Sequence, residues 1–224
     1  MALHAEALYR YDADGLMLCD NEPEGADAPR FYMHRTLAGN TWRFGHTLPE
    51  TVRQRLATLC AAEPIADDLQ SLPAQYDAIR AALAEDAPIT GEYRGPAYAF
   101  ERAPLPSPRA VLIDATTHDL LRLHFPYDSY PPEAGPAAVA VEDGAAVSCC
   151  FCSRLTPRAA HAGLETVEAY RRRGYAVAAV ATWAAAVFAS GRQPLYSTSW
   201  ENHASQGVAR HFGLRQYGED WHIA

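Results

Sequence analysis

The stretch "GLETVEAYRRRGYAVAAVATWAAAV", Gly163–Val187, sets three consecutive arginines and a glycine between a short β-like run and a long alanine-rich one. The glycine stands where a strand hands over to a helix, so the backbone N–H groups of Arg173, Gly174, Tyr175 and Ala176 are the unpaired donors of a helix start. Such a start binds anions, phosphate above all, because its donors converge and the helix dipole is positive there. Gly174 has no Cβ and lets a diphosphate approach the main chain, and Ala176 keeps that approach nearly as open. Arg171, Arg172 and Arg173 add positive charge. No Gly-Lys-Ser/Thr follows, so this is not a Walker loop, and a single glycine does not make the dinucleotide fingerprint. A solvated basic turn is the plain alternative for the motif taken by itself.

The neighbouring segments give the motif a setting. Downstream, "PLYSTSW" predicts a strand, Asn202 to Phe212 a helix closed by Gly213, and "LRQYGEDWHI" a last strand. Upstream, "AVLID" predicts a buried strand and "THDLLRLHF" a helix carrying Leu120, Leu121 and Leu123. "AAVAVED" and "AAVSCCFCSRL" flank Asp143-Gly144 as a hairpin, and "HAGLETV" is the strand before the arginines. Strand, helix, strand, helix, strand at the C-terminal end implies parallel crossovers and an α/β sheet.

The first hundred residues follow a different pattern. Alternating runs around Asp14-Gly15 and around Gly39-Asn40 predict a meander of antiparallel hairpins. Thr47-Leu48-Pro49-Glu50 has the form of a capping box, opening a helix with Val52, Leu56 and Leu59 on one face that Pro64 stops. A second helix is expected from about Pro73 to Glu85, with Tyr76, Ile79 and Leu83 on its apolar stripe. "ERAPLPSPRA" places Pro104, Pro106 and Pro108 on alternate positions, a stiff connector. The expected organisation is therefore an N-terminal α+β region, 1–104, and a second domain, 105–224.

Composition narrows the function classes. The chain has 224 residues, 49% hydrophobic and 21% charged, ordinary for a globular protein. No run reaches the length and hydropathy of a membrane span, and "MALHAEALYRYD" lacks the basic flank of a signal peptide, so a cytoplasmic location is expected. Five cysteines, three of them in "SCCFCS", fit reduced thiols. On a strand Cys149 points away from Cys150 and Cys152, and no second ligand pair at zinc spacing appears, so core thiols are expected and no metal. Net charge is -8, with sixteen Asp/Glu against nine Arg in residues 1–104 and eleven against ten beyond. That balance disfavours a nucleic-acid partner, whose phosphates need many cations, and suits a cationic or neutral acceptor. The complete absence of lysine, beside abundant alanine, reads as genome base composition rather than function. Neither His-Glu-x-x-His nor Gly-x-Ser-x-Gly occurs.

Two spaced motifs carry a family resemblance. "Arg171-x-x-Gly174-x-Ala176" after "LETVEAY" resembles the acyl-CoA pyrophosphate loop of the GNAT (GCN5-related N-acetyltransferase) superfamily. "STSWENHASQGVARHFGL" is similar to the next segment of the same superfamily, from Asn202 and Ser205 through a helix to Gly213-Leu214. The resemblance covers about residues 108–224, with the first hundred residues as an N-terminal extension of a kind some bacterial members carry. It implies a mixed central sheet flanked by helices and acetyl-CoA as co-substrate. It also implies that the main chain at Thr166 and Val167 holds the pantetheine arm, that the loop from Arg171 to Ala176 holds the diphosphate, and that Asn202 and Ser205 face the cofactor.

Acyl transfer to an amine further needs a base for the ammonium and a group that helps the thiolate leave. Many members place a tyrosine seven residues after the Asn, where this chain has Ala209. Tyr196 is the first substitute, with Ser197, Ser199, His203 and His211 behind it. For the base the first choice is Glu165, followed by Glu168 and His161. The aromatic loop Phe125–Pro132 offers Tyr127, Asp128 and Tyr130 to an amine acceptor, or packs without any ligand. The resulting expectation is an N-acetyltransferase acting on a small-molecule or peptide amine. The alternatives are a degenerate acetyl-CoA-binding module and an α/β protein holding another phosphorylated ligand at Gly174.

One topological expectation completes the reading. Superfamily members usually end on two strands, the last lying antiparallel beside the strand equivalent to Leu195–Trp200. Residues after Gly213 suffice for one strand only. The open slot would then be filled by an N-terminal strand or by a partner subunit through exchange in a homodimer.

Overall fold

A computed structural model describes residues 2–22, 25–125 and 130–224. The chain divides into two units, neither continuous in sequence. One comprises Met1–Tyr98, Ser197–His203 and Gln216–Ala224, and the other Ala99–Tyr196 and Ala204–Arg215.

The first unit holds helix α1 (Ala2–Leu8), the hairpin β1 (Tyr9–Tyr11) and β2 (Met17–Asp20), and the hairpin β3 (Phe31–Thr36) and β4 (Gly39–Phe44). Helices α2 (Glu50–Ala62) and α3 (Tyr76–Asp86) follow, then β5 (Glu92–Ala99), and β11 (Arg215–Ile223) from the chain's end. Its strands run in the order β4-β3-β11-β5, with β11 antiparallel to β3. All six residues of β3 are buried, because the strand is covered on both faces. Phe31 and Met33 join Leu56, Ile79, Leu83 and Trp221 beneath α2 and α3, whereas Tyr32 packs with Ala5, Leu8, Tyr9 and Met17 from α1 and the first hairpin.

The second unit holds β6 (Ala110–Leu112), β7 (Ala138–Glu142), β8 (Ala145–Leu155), β9 (Ala159–Thr166), α4 (Tyr175–Ala189), β10 (Gln193–Ser197) and α5 (His203–His211). The strand order is β10-β9-β8-β7-β6, antiparallel from β6 to β9 and parallel between β9 and β10. This is the mixed sheet flanked by helices that the sequence predicts. Helix α4 packs across β6 to β9, where Trp183 donates its indole N–H to Cys152 Sγ at 3.4 Å. The other face carries Cys149, Val139, Leu121 and Tyr130 in a separate cluster. Alternation along β8 thus sends Cys149 and Cys152 to opposite faces, and all three thiols of "SCCFCS" are buried and free.

Several local expectations are corrected. The capping box does not form: α2 starts at Glu50 with Pro49 as its cap, so Thr47 stands two residues too early to cap it, and no side-chain cap bond is made. "THDLLRLHF" makes only a 3-10 turn, His118–Leu121, with Leu121 buried and Leu123 70% exposed, so one face is missing its stripe. β6 is a three-residue edge strand with Val111 and Leu112 exposed rather than a buried one. Two elements escaped the pattern altogether, α1 and β5. β5 contains Gly95-Pro96, which reads as a break until its neighbour is known: a Cβ on Gly95 would lie 1.9 Å from Thr198 O. That neighbour fills the predicted slot, since Thr198 N–H and Trp200 N–H donate to Pro96 O and Arg94 O, the antiparallel pattern. The open edge is closed by the chain's own N-terminal segment.

Candidate active site

The parallel pairing of β9 with β10 covers only Ala159 to His161 against Gln193 to Leu195. β9 then continues to Thr166 along β8, where Val167 N–H still donates to Val147 O at 3.0 Å, while Tyr196 leaves the pairing. A cleft therefore opens between the two strands, one edge of β9 losing its partner just as the chain approaches the arginines.

Beyond β9 a 3-10 turn, Glu168–Tyr170, leads to Arg171–Arg173 and the start of α4. Arg172 has φ +61 and Gly174 φ +83, so the backbone reverses twice within three residues, and only the second reversal falls on a glycine. The first bond into the helix is Ala178 N–H to Gly174 O, and no side chain caps the N-terminus. The N–H groups of Tyr175, Ala176 and Val177 have no carbonyl one turn earlier in the helix to receive them. A Cβ on Gly174 would meet only Arg109 Nη1, at 3.7 Å, so the mouth is open. Donors, positive dipole and an uncrowded main chain fit a diphosphate.

The charges around this mouth are ordered by one ring. Tyr175 is buried under Arg109, whose guanidinium lies 4.3 Å from the ring centroid, and Arg173 lies 5.3 Å from the same centroid. Arg109 also donates to Arg173 O at 3.3 Å, and Arg173 pairs with Glu142 at 3.2 Å. Burial, followed by a hydrogen bond to Glu142, raises the phenol of Tyr175. Arg171 turns back, its Nε donating to Thr166 O at 3.3 Å. Arg109 and Glu142 were not singled out from sequence. Arg109 closes the proline-rich connector, and nothing in spacing links it to a helix 64 residues later.

The other predicted residues fall as follows. Thr166 Oγ1 shares a 2.8 Å hydrogen bond with Ser148 Oγ, which also donates to Glu165 O. The side chain of Val167 packs on the Tyr130 cluster. Glu165, opposite Cys149 in the register, is exposed and stands on the face that carries Tyr130. Two residues earlier Gly163 faces Phe151, where a Cβ would come within 2.5 Å of the ring. Tyr130 is buried against Phe151 at 4.8 Å between centroids, and burial raises its phenol first, with Cys149 and Glu165 adding to the effect. Burial likewise pushes the Cys149 thiol up to about 12. Tyr127 and Asp128 lie outside the described residues.

Tyr196 is buried, its hydroxyl 2.7 Å from Ser205 Oγ on α5. Ala209 is buried two turns along that helix and supplies no hydroxyl. Asn202 is exposed, immediately before α5, and its N–H donates to Ser199 O. It belongs to the segment Ser197–His203 of the first unit. His161 is buried beside Ser153, and Glu168 is exposed.

Comparison with solved structures places chains of similar outline beside this one. It is similar to a GCN5-related N-acetyltransferase from Kribbella flavida, at 18% identity and a TM-score of 0.46 over 64% of this chain and 62% of that one. A GCN5-related N-acetyltransferase-like protein from Streptococcus suis matches at 14% identity and 0.49, over 88% and 85% of the two chains. A GCN5-related N-acetyltransferase from Sphaerobacter thermophilus matches at 14% and 0.47, over 96% and 78%. No family model matches the chain. No curated protein matches it either.

Proposed function

We propose that the chain is an acyl-CoA-dependent N-acetyltransferase that passes an acetyl group to the amine of a small molecule or peptide. The observation that carries this reading is the junction of the β9–β10 cleft with the uncapped start of α4 at Gly174. An extended arm ending in a diphosphate suits a strand edge without a partner that leads straight into an anion cradle. On this reading the Arg171–Ala176 loop and Arg109 hold the diphosphate, and the main chain at Thr166 and Val167 holds the pantetheine. Ser205 lines the second helix side, and Glu165 takes the ammonium proton so that the amine can attack the thioester carbonyl. Tyr196, through Ser205, is the hydroxyl pair available to the departing thiolate. Tyr127, Asp128 and Tyr130 remain the acceptor-side residues of this reading, and its setting is the cytoplasm.

A second reading is favoured by Ala209: without a tyrosine there, the chain binds acetyl-CoA as a sensor or interaction module and does not turn it over. Thermal shift with acetyl-CoA, CoA and nucleotides tests the binding that both readings share. Acetyl-CoA is expected to raise the melting temperature. Gly174→Asp is expected to abolish that rise, since the variant sets a carboxylate, at a strained φ of +83, where the diphosphate must approach. A full shift in the variant would remove this loop from the site. Thiol release with a panel of amines then separates turnover from binding alone.

A further inference from the structure

Beneath α1, in the first unit, lies a buried polar cluster that the proposed reaction does not use. Asp220 is 2% exposed. Its Oδ2 is 2.7 Å from His4 Nε2, and its Oδ1 accepts from the Tyr32 hydroxyl and from His34 Nδ1, each at 2.8 Å. On the far side of His4, Nδ1 is hydrogen-bonded to the Tyr217 hydroxyl. A carboxylate only accepts, so His4 Nε2 and His34 Nδ1 both carry hydrogen. The remaining nitrogen, His34 Nε2, has no partner among the described residues and lies against Gly218, where a Cβ would come within 2.4 Å of it.

His4, His34 and Asp220 could in principle hold a metal ion, their ligand atoms lying within 4.8 Å of one another. Two features oppose it. The carboxylate oxygens already sit at 2.7 and 2.8 Å from the imidazole nitrogens, whereas ligands about 2.0–2.1 Å from one tetrahedral ion stand farther apart than that. A metal-bound histidine also donates its other N–H to an acceptor, and His34 Nε2 has none to use.

We infer that Asp220 is the fastening point of a strap: α1 is held on the sheet of the first unit by the His4 hydrogen bond, and it lifts when that carboxylate loses its charge. α1 has seven residues, too few to be stable as a helix by itself. Its apolar contribution is small, chiefly Ala5, Ala7 and Leu8. The hydrogen bond from His4 to a charged acceptor is therefore a large share of what docks it. Asn21 N–H donates to Leu8 O, but the first hairpin is itself held by His46 N–H on Met17 O, so the part that lifts is α1.

The titratable groups around Asp220 are His4 from α1, Tyr9 from β1, Tyr32 and His34 from β3, and Tyr217 and His222 from β11. Burial acts to raise its carboxyl, but the charges and hydrogen bonds of His4 and His34 outweigh burial and hold it well below the usual carboxylate range. A depressed carboxyl contributes stability that is fully present above its unfolded value, about 3.9. The contribution is lost as pH falls through the lower folded value. The strap thus stays closed through neutral pH and opens in acid.

Hydrogen exchange on the full chain, corrected for the intrinsic rate, tests this. In His4→Phe, which removes the donor and keeps an aromatic ring, the amides of residues 5–8 and of Asn21 are expected to exchange about tenfold faster or more, with α4 unchanged. Tyr217→Phe is expected to give a smaller rise in the same residues. On acidification the wild-type N-terminal segment should lose protection before α2 and α3 do, and Asp220→Asn should show that loss already at neutral pH. Unchanged exchange of residues 5–8 and of Asn21 in His4→Phe would overturn the proposal, as would one equivalent of a divalent metal in the purified chain.

Discussion

At Gly174 two requirements meet, a left-handed turn and an unobstructed approach to the helix start, and both are written in the residue itself. The sequence signals this because glycine at a strand-to-helix boundary has few other uses. Tyr130 shows the opposite case. An aromatic in a proline-rich loop has the same one-dimensional signature whether it grips a ligand, packs or does both, and the packing of Tyr130 shows only in the ring of Phe151 at 4.8 Å. Glu165 is legible as a residue near the end of the strand that precedes the arginines, and its exposure leaves the carboxylate accessible for proton transfer. With an acceptor identified, Glu165→Gln is expected to lower kcat about a hundredfold while the acetyl-CoA Kd stays within about twofold. Tyr196→Phe, which deletes the 2.7 Å bond to Ser205, should have a smaller effect on kcat. Steady-state kinetics beside a binding titration separates the two variants. An unaltered kcat in the first would take Glu165 out of the mechanism.

Elements with a single strong period were readable, and those whose identity depends on a neighbour were not. α4 announces itself by length and alanine content, and the β7–β8 hairpin by Asp143-Gly144, both with positive φ. β5 was missed because Gly95-Pro96 argues against a strand under any local rule. Pro96 is tolerated because its carbonyl, not a missing N–H, makes the bond to Thr198. Gly95 is demanded by the backbone of Thr198 and Ser199 passing over it. α1 escapes a sequence reading because seven residues are too few to show a helical period, and what docks it on the sheet is the single contact of His4. Gly95→Ala should therefore be among the most harmful methyl additions in the chain. The new Cβ would press on backbone, which cannot rotate aside, so a loss of about 3 kcal/mol or more is expected. By contrast, Gly144→Ala meets nothing within 4 Å and bears only the penalty of its positive φ, about 1 kcal/mol. Urea denaturation of the two variants checks the order, and a Gly95→Ala chain as stable as Gly144→Ala would mean that β5 does not pass so close.

Across the whole molecule, the boundary suggested by the proline-rich connector and the spatial division do not follow the same line. The connector has no helix or strand from Glu101 to Arg109, bending at its start and turning at Pro108-Arg109. Yet the unit built from the first hundred residues is completed by Ser197–His203 and Gln216–Ala224. Linear composition cannot show this, because a strand from the chain's end looks the same whichever sheet receives it. The consequence concerns β11. Its neighbours are β3 and β5, both from the first hundred residues. Glu219, wholly buried on that strand, is met by Arg35 at 2.6 Å, by Arg94, and by the indole N–H of Trp200 at 2.9 Å. A fragment of residues 105–224 would keep Glu219 and Trp221 but lose both arginines and every strand beside β11. The apolar face of Trp221 and Ile223 would then be bare and two edges of one strand left unpaired. We expect this fragment to be insoluble or to unfold without a cooperative transition. Co-expression with residues 1–104 should restore a soluble complex, because the missing partners return as a strand pair and two helices. Expression of the fragment alone, followed by thermal denaturation monitored by circular dichroism, decides the matter. A soluble fragment with a sharp transition and the full chain's response to acetyl-CoA would show that residues 1–104 are a separable appendage.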